Sequence, residues 1–385
     1  MSQELKMTKI KRLIDCTIPV FTCNLRCSYC CNTLSKKYNA PIPKFPYSAE
    51  VMAKAISPER MGGICWVNLG GYGETLLSKE IINYAIELLK LGHYVSIVTN
   101  GTVSKAFDTF CEIDSELRKR LFFKFSFHFL EFKTRNLFKT FFSNIRKVKE
   151  AGCSFTVELT PCDEEIEYIS EIKQLCMENL GALCHITVPR DYTQKKLSLL
   201  TKLPRETFKK KWQEFKSQLF DYKWSVFEQK RREFCYAGDW SVFLNMFTGE
   251  LKQCYQGKIL ANVYEDIDKP INFEAIGNNC KEPHCYNAHA WLVWGSIPEL
   301  KAPTYAELRN RVCKDGSEWL NPETKEFYST KLYESNKEYS FKRKLIINLK
   351  HKLFPTAPYR KLLKIVYIFT YGDLKKKLKS KIKKI

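Results

Sequence analysis

Short apolar runs alternate with segments of helical spacing through the first half of the chain. The runs cover residues 13–20, 65–69, 94–99, 122–127, 154–160 and 183–188, and their β-branched and aromatic residues predict strands. Between them apolar residues recur every three or four positions, as in Ile81, Tyr84, Ala85, Leu88 and Leu89, which predicts helices. Nearly continuous apolar strands separated by helices indicate a parallel sheet covered by helices, either doubly wound or curved into a barrel.

The alternation of strands and helices stops after residue 190. Residues 197–232 are rich in Lys, Glu, Phe and Trp and predict one or two helices, whereas residues 234–294 carry short strands and turns. We therefore expect a core over 1–195, a helical linker over 196–232, a small cysteine-rich α+β domain over 233–295, a helical region over 296–340 and a basic amphipathic helical tail over 341–385.

The positive charge is concentrated at the end of the sequence. Lys and Arg exceed Asp and Glu by 63 − 42 = 21, and residues 341–385 contain fifteen Lys or Arg against one acid, so 14 of the 21 excess charges lie there. Leu362, Ile365, Val366 and Phe369 fall on one helical face among these lysines. Such a segment predicts a peripheral membrane contact or an acidic partner, with a simply solvated tail as the alternative.

The sequence shows no targeting or membrane-spanning segment. It has no run of eighteen uncharged apolar residues, and its first twenty residues lack the apolar stretch of a signal peptide. We therefore expect a cytoplasmic protein that the tail attaches, at most, to the inner face of the membrane. In that reducing compartment the sixteen cysteines are expected to include metal ligands and not to form a disulfide framework.

Four cysteines lie within nine residues directly after the first predicted strand. Cys23, Cys27 and Cys30 follow the spacing CxxxCxxC, with Tyr29 just before the third thiol. Thiolates are soft ligands that favour iron-sulfur clusters or zinc, and three of them would leave one iron of a 4Fe-4S cluster open to a small molecule. Cys31 is expected to point away as a small apolar residue. A structural zinc site, which commonly has four ligands, is the alternative.

This cysteine motif resembles that of the radical S-adenosylmethionine (SAM) enzymes. The resemblance covers about residues 13–190 and implies a partial (β/α)6 barrel, with a 4Fe-4S cluster on Cys23, Cys27 and Cys30 and with SAM bound at the open iron beside Tyr29. It also implies that a reductant such as flavodoxin or ferredoxin supplies an electron that cleaves SAM to a 5'-deoxyadenosyl radical, while the protein orients the reactants.

Three further stretches resemble the SAM-binding motifs of the same family. Tyr72, Gly73 and Glu74 follow the second strand and are similar to its Gly-Gly-Glu-Pro loop, whose backbone carbonyls accept hydrogen bonds from the methionine ammonium. Asn100 lies in a Thr-Asn-Gly turn after the third strand, and Ser126 lies in the fourth. The resemblance implies that these five residues contribute to the SAM site.

Strand alternation gives the fourth and fifth strands a polar face. Ser126 and His128 are predicted on one face of the fourth strand, and Glu158 and Thr160 on one face of the fifth. If those faces line the interior, the polar side chains point toward the cofactor or the substrate. A structural hydrogen bond in the core is the alternative for His128 and for Glu158.

Four more cysteines lie in the predicted small domain: Cys235, Cys254, Cys280 and Cys285. The spacing Cys-x13-Gly-x4-Cys around Gly249 resembles the hairpin that opens the SPASM and twitch extensions of radical SAM enzymes. The resemblance implies a twitch-like domain in which the four thiols hold a second 4Fe-4S cluster. Zinc is the alternative, with His284 or His289 available as a further ligand.

These patterns favour a radical SAM enzyme that modifies a peptide, a protein or a sugar-like substrate. A radical SAM enzyme that modifies RNA is the second hypothesis, because the chain is basic. Most of that charge lies in the tail and no RRM or KH signature is present, so nucleic acid is not the expected partner. A non-enzymatic zinc or iron-sulfur scaffold is the third hypothesis. No motif indicates catalytic residues beyond the cofactor site or names the substrate.

Overall fold

Strands from both halves of the chain form one sheet. The structure, a computed structural model, describes residues 8–265 and 267–353. Within these ranges the strands are β1 Arg12–Ile18, β2 Cys65–Gly71, β3 Tyr94–Thr99, β4 Leu121–Ser126, β5 Ser154–Leu159, β6 His185–Ile186, β7 Ser241–Asn245, β8 Glu250–Lys252 and β9 Ile259–Asn262.

Helices connect these strands and follow them. The α-helices are α1 Cys31–Leu34, α2 Ala49–Lys54, α3 Pro58–Met61, α4 Lys79–Lys90, α5 Ser104–Glu112, α6 Ser115–Arg118, α7 Phe129–Arg135, α8 Phe138–Glu150, α9 Ile169–Leu180, α10 Arg205–Trp212, α11 Gln218–Val226, α12 Ala288–Trp291, α13 Tyr305–Arg309, α14 Pro322–Tyr328, α15 Leu332–Ser335 and α16 Phe341–Leu353. Short 3-10 helices cover Thr75–Leu77, Asp163–Tyr168 and Gln213–Phe215.

The first six strands are parallel and lie in the order of the sequence. The sheet order is β6-β5-β4-β3-β2-β1-β7-β8-β9, and each neighbouring pair from β1 to β6 is parallel. A doubly wound sheet would reverse its strand order, so the sequential order identifies the partial barrel. The predicted α/β fold class is therefore confirmed. The predicted strand at 94–99 coincides with β3, whereas β6 is shorter than the run at 183–188.

The two faces of the sheet pack against different parts of the chain. Ile14, Val67 and Ile97 belong to a buried core that includes residues of the surrounding helices. Leu13 and Trp66, which alternate with them, belong to a second core with aromatic residues from the last third of the described chain. The C-terminal segment thus covers the concave face, where a closed barrel would have its remaining strands.

Aromatic rings fill the amino-terminal end of the barrel. The ring centroid of Trp66, near the start of β2, lies 5.0 Å from that of Tyr305 and 5.5 Å from that of Trp294. The Trp66 indole N–H donates to Tyr328 Oη at 3.0 Å. Because this end is filled, a site in the barrel has to lie toward the carboxyl ends of the strands.

The hairpin of the predicted small domain extends the core sheet. β7 pairs in parallel with β1, from Leu13 opposite Ser241 to Thr17 opposite Asn245, and β8 and β9 continue as antiparallel strands. Gly249 lies in the turn between β7 and β8 with φ +75°, as the predicted hairpin required. The hairpin does not form a sheet of its own, because the edge of β1 opposite β2 offers free backbone groups to pair with. The boundaries of the five parts stay predictions.

Strand alternation fails where β4 and β5 end. β4 ends at Ser126, and His128 directly precedes α7, which begins at Phe129. β5 ends one residue before Thr160. The prediction that Ser126 and His128 share a strand face was therefore wrong, because the chain has turned toward a helix before His128.

Most of the basic tail, residues 354–385, lies outside the described residues. α16 ends at Leu353, and the predicted membrane contact or acidic partner of the tail concerns residues beyond it. In the described ranges no helix is long and apolar enough to cross a membrane.

A buried histidine makes the stability of this fold depend on pH. His93 Nδ1 accepts a hydrogen bond from Cys65 N at 3.1 Å, and Nε2 donates to Ile56 O at 2.9 Å. Burial lowers the pKa of His93 from 6.5 to about 4. The unfolded chain takes up a proton below pH 6.5, whereas the folded chain resists protonation until about pH 4. The contribution of neutral His93 to the free energy of unfolding is therefore present above pH 6.5 and is lost as the pH falls toward 4.

We expect the free energy of unfolding of the wild type to fall by about 3 kcal/mol more than that of His93→Gln between pH 6.5 and 4. Glutamine keeps a donor and an acceptor but has no group that titrates in this range. Urea unfolding of both proteins at several pH values measures the difference. Parallel pH profiles of the two proteins would contradict the assignment.

Candidate functional site

The loop after β1 holds Cys23, Cys27 and Cys30. Cys23 N–H donates to Tyr38 O at 3.0 Å, and Cys30 N–H donates to Cys27 O at 3.1 Å. The guanidinium of Arg26 donates to Cys23 O at 2.6 Å and lies 3.8 Å from the centre of the Tyr38 ring. These contacts fold the loop back on itself and hold the three cysteines in one short segment.

The three thiols have different environments. Burial raises the pKa of Cys23 and of Cys27, and the thiol of Cys30 raises both further. The pKa of Cys30 is lowered to about 6, first because the Cys31 thiol hydrogen-bonds to it and then because backbone N–H groups at the start of α1 add to this. Cys30 therefore enters the thiolate state most readily, whereas Cys23 and Cys27 would gain from a cation beside them.

The donor set of this loop fits a thiolate-bound cluster. Soft thiols in a half-buried segment are the ligands that iron-sulfur clusters use. In the ranges that the structure describes, no three Cys, His, Asp or Glu side chains are already arranged to hold one metal ion, so ligation stays a prediction. The predicted direction of Cys31 was wrong. Its half-buried thiol hydrogen-bonds that of Cys30, because α1 begins at Cys31 and the two residues do not lie in an extended loop.

Gly73 brings the loop after β2 against the cysteine loop. Gly73 N–H donates to Val20 O at 2.6 Å, and a Cβ at this position would lie 2.1 Å from Thr22 O, so only glycine fits without a shift of the backbone. The neighbouring Tyr72 is 46% exposed and stacks on Phe21 at 4.8 Å between ring centroids. Tyr72 and Gly73 are thus placed at the entrance of the cysteine loop.

The Glu74 carboxylate is used inside the protein. It accepts hydrogen bonds from Leu76 N at 2.9 Å, from Thr99 Oγ1 at 2.7 Å and from Asn100 N at 2.7 Å. The side chain is buried, and burial raises its pKa. Glu74 therefore joins the loops after β2 and β3, and any contribution to a SAM site comes from its backbone.

Asn100 joins the third loop to the cysteines. Its Nδ2 donates to Asn24 Oδ1 at 2.8 Å, and its Oδ1 accepts from Thr102 N at 3.1 Å and from Thr102 Oγ1 at 2.7 Å. Asn24 lies next to Cys23 in the sequence. The loops after β1, β2 and β3 are therefore connected by direct hydrogen bonds.

Tyr29 and Ser126 lie at the same edge of the sheet. Tyr29 Oη lies 2.7 Å from His128 Nδ1. Ser126 is half-buried at the carboxyl end of β4, opposite Glu158 of β5. The predicted residues around the first cysteine motif thus gather at the open end of the barrel.

The second set of cysteines lines one cavity: Cys235, Cys254, Cys280 and Cys285. Its other walls are largely apolar and include Ile276, Trp291 and Leu292. Burial raises the pKa of Cys285 to about 12, and burial followed by the other three thiols raises that of Cys254 well above its usual range. Four thiols around an apolar cavity fit a site with four thiolate ligands, and their ligation stays a prediction.

A histidine in the same cavity could serve as a ligand in the zinc alternative. His284 lines it and is 2% exposed, and neither ring nitrogen has a hydrogen-bond partner among the described residues. His289 is not part of this lining and lies near Lys223 and Arg309. The geometry therefore favours His284 over His289 as a further ligand.

The sequence of residues 17–176 matches the model of the Radical SAM superfamily. This part of the chain is a radical SAM domain. No curated protein matches the chain in sequence.

Several solved structures resemble the fold. The crystal structure of Streptococcus suis SuiB has a TM-score of 0.46 at 14% identity, and the match covers 67% of this chain and 64% of SuiB. Native anSMEcpe with bound AdoMet has a TM-score of 0.44 at 17% identity, with coverage of 66% and 78%. BtrN in complex with AdoMet and 2-DOIA has a TM-score of 0.32 at 14% identity, with coverage of 68% and 81%. The chain thus spans less than two thirds of the length of SuiB.

Polar side chains face the interior of the radical SAM domain. Asn68 Nδ2 donates to Asp15 Oδ1 at 2.8 Å, and Ser96 Oγ donates to Asn68 Oδ1 at 2.8 Å. Lys124 Nζ of β4 lies 3.9 Å from Glu158 Oε1 of β5. Of these residues the sequence analysis noted only Glu158. The others interrupt apolar strand runs with a polar side chain, and that interruption is the signal which could have found them.

Asp15 connects the radical SAM domain to the second cysteine set. Its Oδ2 accepts a hydrogen bond from Asn287 Nδ2 at 2.9 Å and another from Tyr255 Oη. Tyr255 directly follows Cys254, and Asn287 lies two residues after Cys285. The cavity of the second cysteine set is therefore held against β1.

We expect Glu74→Gln to lower the free energy of unfolding by about 1–3 kcal/mol. In the wild type three N–H and O–H donors share the two carboxylate oxygens of Glu74. Glutamine has only one acceptor oxygen, and its NH2 group would face one of these donors. Exposed Glu112 of α5 supplies the matched control, since Glu112→Gln is expected to change stability by less than about 0.5 kcal/mol. Denaturant unfolding measures both variants, and equal stability of the two would rule out the structural role of Glu74.

Proposed function

We propose that this chain is an enzyme that binds a 4Fe-4S cluster through Cys23, Cys27 and Cys30 and uses SAM to modify a peptide, a protein or a sugar-like substrate. When bound, the cluster would supply the electron that cleaves SAM to a 5'-deoxyadenosyl radical. The observation that carries the proposal is the position of these three cysteines, directly after the first strand of a sequentially ordered parallel sheet and within the matched domain.

The hydrogen bonds among the three loops support a preformed cofactor site. Glu74 and Asn100 hold the loops after β2 and β3 against the cysteine loop, which leaves backbone carbonyls around Gly73 to accept hydrogen bonds from a ligand ammonium. Tyr72 on Phe21 forms an aromatic wall at the entrance, and such a wall helps to exclude water. The chain thus orients its ligand with groups that need little rearrangement.

Loss of the first cysteine set tests this function. We expect anaerobically reconstituted wild type to form 5'-deoxyadenosine from SAM under dithionite without added substrate, and the Cys23→Ala/Cys27→Ala/Cys30→Ala variant to fall to the level of the protein-free control. Half-buried Cys111 of α5 supplies the matched control, because Cys111→Ala removes a thiol far from the motif in sequence. Chromatography of the nucleoside measures the product. Absence of product from the wild type would reject the enzyme and favour the scaffold alternative.

We further propose that Cys235, Cys254, Cys280 and Cys285 hold an auxiliary 4Fe-4S cluster in a twitch-like arrangement. Their shared apolar cavity supports this, since four thiolates complete the ligands of a cluster and leave no iron open. Zinc bound with His284 is the competing arrangement. A flavodoxin or ferredoxin would be the matching class of reductant.

Metal analysis separates the two arrangements. In the triple variant of the first set we expect about four iron atoms per chain to remain after reconstitution. A Cys254→Ala/Cys285→Ala variant is expected to lose a similar amount relative to wild type and to keep SAM cleavage at the first site. Iron-free protein with one zinc that His284→Ala removes would establish the zinc site instead.

A further inference from the structure

Five charged side chains meet inside the barrel: Lys124, Glu158, Arg190, Lys223 and Arg309. Arg309 Nη1 lies 2.6 Å from Glu158 Oε1, and Lys124 Nζ lies 3.9 Å from the same oxygen. Lys223 Nζ donates a hydrogen bond to Thr187 Oγ1. Arg309 is 0% exposed and Lys124 is 9% exposed. These side chains come from β4, β5, the segment after β6, α11 and α13, so the fold itself collects them.

Positive charge exceeds negative charge in this group. Burial lowers the pKa of Lys223 well below its usual range, and the neighbouring guanidinium and ammonium groups lower it further, while Glu158 opposes them. Burial raises the pKa of Glu158, but Arg309 and Lys124 outweigh burial and lower it. Asp15, the next acid, already accepts hydrogen bonds from its own partners. Four bases therefore share one carboxylate.

Buried polar atoms in this group lack partners. Nη1 of Arg309 pairs with Glu158, but Nε and Nη2 of Arg309 and Nδ1 of His289 have no hydrogen-bond partner among the described residues. Burial lowers the pKa of His289, and the four bases around it lower it further. Unpaired buried donors and uncompensated buried cations are costly, so an acceptor with negative charge would complete the group.

The group lies between the two cysteine sets. Arg190, Lys223 and His284 line one narrow cavity together with Cys285 of the second set. Arg190 donates to Tyr286 O at 2.7 Å and to Tyr192 Oη at 3.0 Å, and Tyr192 lines a cavity together with Cys31, which follows the first set. A molecule held by this group would thus lie within the barrel, near both proposed clusters.

We propose that Lys124, Arg190, Lys223 and Arg309 bind an anionic group of the substrate, either a carboxylate or a phosphate. This inference rests on the proposed function, since it gives the chemical class of the molecule on which the enzyme acts. A guanidinium pairs with both kinds of oxyanion through two parallel N–H donors, and the lysines add point charges. The bound anion would orient the rest of the substrate toward the loop of Cys23, Cys27 and Cys30.

Binding of small probes to the reconstituted holoprotein tests the anion site. Calorimetry with N-acetylglutamate α-amide, N-acetylglutamine α-amide and inorganic phosphate is carried out without dithionite and with saturating SAM, so that the carboxylate site of SAM is already filled. We expect N-acetylglutamate α-amide, which has one carboxylate, or phosphate to bind at least about tenfold more tightly than the neutral N-acetylglutamine α-amide. The anion that binds more tightly indicates whether the anionic group of the substrate is a carboxylate or a phosphate. Equal affinities for all three probes would overturn the proposal.

A lysine substitution tests whether the anion binds inside the barrel. Lys223→Gln is expected to lower the affinity for the more tightly bound anion by about tenfold. Lys210→Gln, on the exposed face of α10, is expected to leave that affinity unchanged. Unchanged affinity in Lys223→Gln would overturn the assignment to this group. If that variant does not fold, the comparison of charged and neutral probes on the wild type still decides between the two outcomes.

The failure of this inference can be distinguished from failure of the proposed function. SAM cleavage by the wild type is measured separately, without any probe. Formation of 5'-deoxyadenosine together with no preference for anions overturns the anion site alone. A preference for anions without SAM cleavage overturns the proposed enzyme and, because the inference rests on it, also the role of the anion as part of a substrate.

Discussion

The buried carboxylate of Asp15 joins the two halves of this protein. A carboxylate in the interior needs several hydrogen bonds to offset the loss of water. Asp15 obtains them from Asn68 within the sheet and from Tyr255 and Asn287, which belong to the segment of the second cysteine set. These bonds, with the pairing of β7 on β1, decide where the cavity of four thiols lies relative to the open end of the barrel.

The loops at the open end of the barrel are held in place by hydrogen bonds to one another. The side chains of Glu74 and Asn100 form hydrogen bonds with other groups of the protein. The segments after β1, β2 and β3 therefore form one connected rim. Gly73 allows two of these backbones to approach more closely than any side chain would permit. A rim built in this way presents carbonyl groups and thiols in defined positions, as a cofactor site requires.

The two ends of the barrel carry opposite kinds of surface. At the amino-terminal end the rings of Trp66, Trp294, Tyr305 and Tyr328 pack against one another. Toward the carboxyl end the interior becomes polar, and basic side chains outnumber the acidic partner. The proposed anion site would therefore lie on the polar side of the aromatic layer.

The sequence by itself determined the local elements and the ligand candidates. Apolar runs predicted the strands β1 to β6, because a strand buried on both faces is mostly apolar along its length. The spacing of Cys23, Cys27 and Cys30 is likewise a local property. Only the tertiary structure decided that β7 pairs with β1, that Glu74 bonds Thr99 and that Arg309 meets Glu158. These contacts join residues 25 to more than 200 positions apart, and such pairing depends on how whole elements pack, which no short sequence pattern records.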